Sequence, residues 1–71
     1  MWEKWLNQSL QRFERELIKY EIIEYYLGYV TFKLTLQTVT MNATINFNRG
    51  EFESETTQAI YLLRKKFLNK V

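Results

Sequence analysis

The chain has no histidine, no cysteine, no aspartate and no proline, and only two of its 71 residues are glycine. Without histidine or cysteine it lacks the usual general base near neutral pH and the usual transition-metal ligands. The missing aspartate also removes the Ser-His-Asp arrangement. Ser9 and Ser54 are the only serines, and Gly28 and Gly50 stand alone, so there is neither a nucleophile elbow nor a glycine-rich loop to cradle phosphate. These absences argue against hydrolase, transferase and dehydrogenase chemistry, and the expectation is a protein that is not an enzyme and carries no cofactor. Lack of cysteine also removes any argument for an oxidising compartment. No apolar run approaches the length of a membrane span, and the opening stretch MWEKWLNQSLQRFERE carries charges where a signal peptide needs an apolar core, so a soluble, cytoplasmic protein is expected.

What is present is apolar and aromatic. Hydrophobic residues make up 46% of the chain and aromatic ones 17%. A chain of this length forms one domain, residues 1–71, and buries only about 60% of the surface its unfolded form exposes. Each buried aromatic removes roughly 150 to 250 Å² from water, so there is ample material for a core, and any surplus invites a second copy or another protein to cover it. The abundance of Phe, Tyr, Ile, Asn and Lys over Gly, Ala, Arg and Pro points to an AT-rich gene, which suits a phage or mobile element.

Tyr29 to Asn48, YVTFKLTLQTVTMNATINFN, alternates with period two. Val30, Phe32, Leu34 and Leu36 form one apolar face, after which the parity switches to Val39, Met41, Ala43, Ile45 and Phe47. That switch requires a hairpin, and a two-residue turn at Gln37-Thr38 satisfies it, as do longer even turns near Thr40 to Asn42. Before the hairpin, Trp2, Leu6, Leu10, Phe13, Leu17, Tyr20 and Leu27 share one helical stripe, which predicts a helix from Trp2 to Leu27 stopped by Gly28. Glu21 to Leu27 is rich enough in β-branched and aromatic residues to start a strand instead, but Gly28 suits a helix end better than mid-strand. After the hairpin, Asn48-Arg49-Gly50 reads as a turn that sets Phe47 against Phe52, with a short strand from Glu51 to about Ser54. A second helix follows, capped by Ser54 or Thr56, with Thr56, Ala59, Ile60, Leu63, Phe67 and Val71 inward. The fold class expected is α+β, a two-layer α-β-β-(β)-α domain whose small antiparallel sheet, built on the central hairpin, is covered on one face by two helices.

Charge is modest, at +2 overall, and does not by itself imply a polyanion partner. Glu51, Glu53 and Glu55 alternate and could face a hard cation, but acidic residues at a helix start are explained by the helix dipole, so no metal is expected. A basic set, Lys33, Arg49, Arg64, Lys65, Lys66 and Lys70, offers nucleic-acid binding as the alternative function; cations near a helix C-terminus have the same dipole explanation. The α-β-β-β-α order and the length resemble the double-stranded-RNA-binding domain. That family holds phosphates with lysines at the start of its second helix, where this chain has Glu51, Glu53 and Glu55, so no binding residue carries over.

The leading expectation is a binding module for another protein. Trp5, Ile18, Ile22, Tyr25, Leu62 and Leu68 fall at the edge of, or off, the inward stripes, and Trp and Tyr are enriched at the energetic centres of interfaces. The polar face of the hairpin, represented by Thr35 and Thr44, is a second candidate surface because a nearly uncharged sheet resists docking poorly. Self-association, as a dimer, is expected beside the protein partner. The concrete form of this expectation is a phage or mobile-element inhibitor that occludes a site on a host protein.

Overall fold

The computed structural model describes residues 2–47 and 51–70, with side chains for 4–47 and 51–69. The elements are helix α1 (Trp2–Arg15), strands β1 (Lys19–Tyr26), β2 (Tyr29–Leu36) and β3 (Val39–Asn46), and helix α2 (Phe52–Lys70). The strands form one antiparallel sheet in the order β1-β2-β3, and both helices pack on one side of it. The expected α+β, α-β-β-β-α architecture is therefore present, but its third strand lies before the hairpin and not after it. Among the described residues no helix is long and apolar enough to cross a membrane. The expected turn at residues 48–50, and Val71, lie outside the described residues.

The first helix stops near its middle as judged from the apolar stripe, and the backbone shows why. Leu17 takes a left-handed conformation, φ 60°. Its amide donates to the Glu14 carbonyl at 3.0 Å, and the Ile18 amide reaches back to the Phe13 carbonyl at 2.9 Å. This is a Schellman stop, with the hydrophobic contact that usually accompanies it supplied by Ile18 and Phe13, both in the core. Leu17 itself is 83% exposed. A non-glycine residue in this region costs roughly 1 to 2 kcal/mol, and glycine returns part of that through its larger unfolded-state entropy. Leu17→Gly is therefore expected to stabilise the protein by about 0.5 to 1 kcal/mol, raising its melting temperature by several degrees. A lower melting temperature in a calorimetric scan would mean that the Leu17 side chain makes a contact that offsets the backbone cost.

The segment expected to continue the helix is β1. Gly28 ends no helix. It is the second residue of a two-residue turn, where Leu27 (φ 45°) and Gly28 (φ 83°) both have positive φ, the type I′ requirement that matches strand twist. From Lys19 to Ile22 the strand pairs with β2 as Lys19 opposite Thr35 through Ile22 opposite Phe32. A bulge then shifts the register, so that Glu24 faces Thr31, Tyr25 faces Val30 and Tyr26 faces Tyr29. The expected hairpin of β2 and β3 is present, and of the even turns its parity allows it takes the two-residue one at Gln37-Thr38, with Leu36 opposite Val39 and Val30 opposite Ile45. Positive φ at Gln37 (57°) alone is the type II′ pattern.

The core is made where the apolar face of β2 and β3 meets the helices: Phe13, Ile18, Val30, Phe32, Leu34, Val39, Ile45, Phe47, Phe52, Ala59, Ile60 and Leu63 are buried. Phe13 meets Phe32 edge to face at 5.3 Å. At the end nearest Gly28, Trp5 stacks on Phe52 at 5.3 Å and Phe52 lies 6.1 Å from Phe47, an aromatic ladder joining both helices to the exit of β3. The expected strand at 51–54 is absent because Phe52 already belongs to α2, where it fills the core. Neither Ser54 nor Thr56 is a cap. Thr56 is buried inside the helix, and its hydroxyl is 3.1 Å from that of Ser9 on α1, joining the two helices in the interior.

Candidate functional site

The two edges of the sheet are treated differently. At both ends of the β3 edge the main chain is engaged by a side chain of α2. The Asn46 amide donates to the Glu55 carboxylate, and Lys66 Nζ donates to the Thr40 carbonyl at 2.8 Å. Such covers keep an edge from pairing with a foreign strand. They also commit Glu55 and Lys66 to the sheet; Glu53 and Glu55 both sit in the first turn of α2, where the helix dipole favours them.

At the β1 edge the helical layer stops short. Near its start, Tyr20 packs on Phe13 at 6.2 Å and its hydroxyl donates to Glu14 Oε1 at 3.2 Å. That hydrogen bond, with partial desolvation and the carboxylate's charge, raises the Tyr20 pKa above the ordinary tyrosine value. Beyond Tyr20 the strand leaves the helices behind. Ile22 and Tyr25 lie on the helix side, since they pair with the buried Phe32 and Val30, yet both remain about half exposed. Ile23, the extra residue of the bulge, is also half exposed. Tyr26 and Tyr29 face each other on the opposite side and are open to solvent, and Leu27 at the tip is 73% exposed. Six large apolar side chains are thus uncovered within residues 22–29, on both faces and the tip of one hairpin.

The candidates from sequence are distributed unevenly around this geometry. Ile22 and Tyr25 are at its centre. Ile18 is corrected to the core, 3% exposed, because the Schellman stop turns it inward. Trp5 is half-buried on Phe52 and belongs to the aromatic ladder. Thr35 and Thr44 lie on the open face of the sheet, where Thr35 bonds Thr40 at 3.3 Å and Thr44 bonds Thr31 at 2.9 Å. Leu62 and Leu68 are exposed on α2, with Leu62 beside a shallow cleft of about 290 Å³ that also touches Met41 and Ala43. Ile23, Tyr26, Leu27 and Tyr29 complete the cluster. Tyr26 and Tyr29 show as an aromatic surplus in the sequence, whereas a helical reading of Ile23 and Leu27 conceals them.

Among the described residues the basic candidates do not converge. Arg64 is paired with Glu16, Lys66 is bound to the Thr40 carbonyl, Lys65 projects from α2, and Lys33 stands on the open face between Glu21 and Asn42. Arg49 and the side chain of Lys70 lie outside the described residues. A second cleft of about 370 Å³ separates the helices. Arg12 and Arg15 border it, but the hydroxyls of Ser9 and Thr56 on its wall are engaged with each other. Comparison with protein-family models, with curated proteins and with solved structures finds no match to this chain.

Proposed function

We propose that this chain is a non-catalytic, cytoplasmic protein-binding module whose contact surface is the β1 edge and its hairpin tip, acting by occluding a surface on its partner. The observation that carries this reading is the concentration of Ile22, Ile23, Tyr25, Tyr26, Leu27 and Tyr29, all substantially exposed, on the single hairpin that the helices leave uncovered. Small soluble domains rarely leave so much contiguous apolar surface without a use, and tyrosine suits an interface because it offers area and a hydroxyl together. Backbone geometry adds support: Leu27 occupies a left-handed turn position where asparagine or glycine is preferred, so an exposed leucine is kept there against local preference.

Site-specific photo-crosslinking tests it. A photoreactive residue in place of Tyr26 is expected to give defined protein adducts in cells, whereas one in place of Leu68, equally apolar and exposed on α2, is expected to give few. Adducts formed mainly from position 68 would move the contact surface to α2 and overturn the assignment.

A further inference from the structure

We infer that the occupant of the β1 edge is a second copy of this chain, paired strand to strand across a twofold axis so that two three-stranded sheets become one of six. The inference rests on the binding-module reading above and specifies its partner.

Four observations carry it. The first is the contrast between edges. With the β3 edge occupied by Glu55 and Lys66, β1 is the edge at which another strand can add. The second is register. An antiparallel contact places side chains of the same face opposite each other, and the bulge between Ile22 and Glu24 inverts parity along β1. With the axis between Ile23 and Glu24, Ile22 opposes the partner's Tyr25 on the helix side and Glu21 opposes the partner's Tyr26 on the open side, each pair occurring twice. Isoleucine against tyrosine is a favourable cross-strand pair, and a tyrosine hydroxyl can donate to a glutamate. Shifting the axis to lie between Ile22 and Ile23 also keeps the faces matched but sets Glu21 against the partner's Glu24 twice, which like-charge repulsion disfavours.

The third is area. Ile22, Ile23, Tyr25 and Tyr26 of β1, at roughly 100 Å² each, bring about 400 Å² of apolar side chain per chain to the contact, about 800 Å² for the pair before main chain and flanking residues are counted, the scale of a weak, concentration-dependent interface. The fourth is closure. A twofold contact uses the same edge on both copies and leaves the covered β3 edges outward, so association ends at two and does not run on as a filament. Glu24 lies beside the axis in both copies. Their mutual repulsion, with a weaker diagonal approach of each to the partner's Glu21, is unfavourable, and added salt screens it.

Sedimentation of the full chain from about 1 µM to about 500 µM is expected to show a monomer-dimer equilibrium, no weaker at high salt than at low. Ile23→Glu, which sets a further carboxylate against the partner's Glu24 on each side of the axis, is expected, once checked for native melting, to weaken association at least about tenfold, while Leu68→Lys leaves it unchanged. A second readout does not depend on any variant: backbone amides of β1 are expected to exchange more slowly in concentrated than in dilute wild-type samples. A strict monomer at the highest concentration overturns the inference, and so does a dimer broken by Leu68→Lys or one whose β1 amides exchange alike at both concentrations. A monomer that still crosslinks another protein from position 26 overturns the second copy as occupant and leaves the binding module standing. Absence of any adduct from that position, to itself or to another protein, removes both.

Discussion

Phe32→Ala is expected to leave the protein largely unfolded at 25 °C. Phe32 lies on the central strand, has no solvent exposure, pairs laterally with Ile22 and Ala43, and meets Phe13 edge to face at 5.3 Å. Every layer of the fold meets at this ring. Truncating a buried phenylalanine costs about 3 to 5 kcal/mol, through lost transfer free energy and the cavity left behind. A domain of this length has only about 4 to 10 kcal/mol of stability in total, so the loss is comparable with the whole. Urea titration followed by circular dichroism should show the midpoint falling by about 2 M or more, or no folded baseline at all. Tyr26→Ala removes a ring of similar size from the exposed side of the hairpin and is expected to cost less than about 1 kcal/mol. Equal losses for the two variants would mean that the core is not centred on Phe32.

Ser9→Ala is expected to destabilise the protein by about 1 to 3 kcal/mol although it removes a single oxygen. Ser9 and Thr56 are both buried, and their hydroxyls face each other between α1 and α2. Removing one leaves the other in an apolar setting with its partner gone, and the penalty is the desolvation of that survivor more than the loss of the bond itself. Thr56→Val should behave alike. The double variant Ser9→Ala/Thr56→Val removes both polar groups at nearly constant volume, so its cost should fall well below the sum of the single costs, with a coupling of about 1 kcal/mol or more. Strictly additive losses would show that each hydroxyl has its own partner and that the contact between the helices is only packing.

Ser9 also marks a limit of pattern reading. It is buried on a helix whose apolar stripe, read through Leu6, Leu10 and Phe13, leaves it out, because a lone serine has no apolar signature and its burial is explained only by Thr56, forty-seven residues away. Ile18 is a similar case. On a continuous helix it points away from the core, and only the left-handed Leu17 turns it inward.

Where local rules and packing agree, the pattern alone sufficed. Clean alternation from Tyr29 to Asn46, with its parity switch, determines the hairpin and which residues face inward, because slipping by one residue would expose Phe32 and Leu34; among the even turns that parity allows, the structure selects the two-residue one at Gln37-Thr38. The inward face of α2, through Thr56, Ala59, Ile60 and Leu63, follows from its periodicity. The absence of histidine, cysteine and aspartate limits the chemistry before any fold is known.

The tertiary structure alone decided the fate of residues 16–28. Their apolar residues continue the stripe of α1 by chance, and the bulge at Ile22/Glu24 erases the period-two signal that would have marked a strand. What outweighs helix continuation there is a set of distant partners: Thr31 to Thr35 offer a ladder of main-chain hydrogen bonds, Phe13 accepts Ile18, and Leu27-Gly28 completes a type I′ turn. The exposed hairpin follows from the same decision. Once β1 becomes a strand at the margin of the sheet, α2 lies over β2 and β3 and the shortened α1 reaches only the start of β1, so the apolar surface that a longer first helix would have buried is left facing outward.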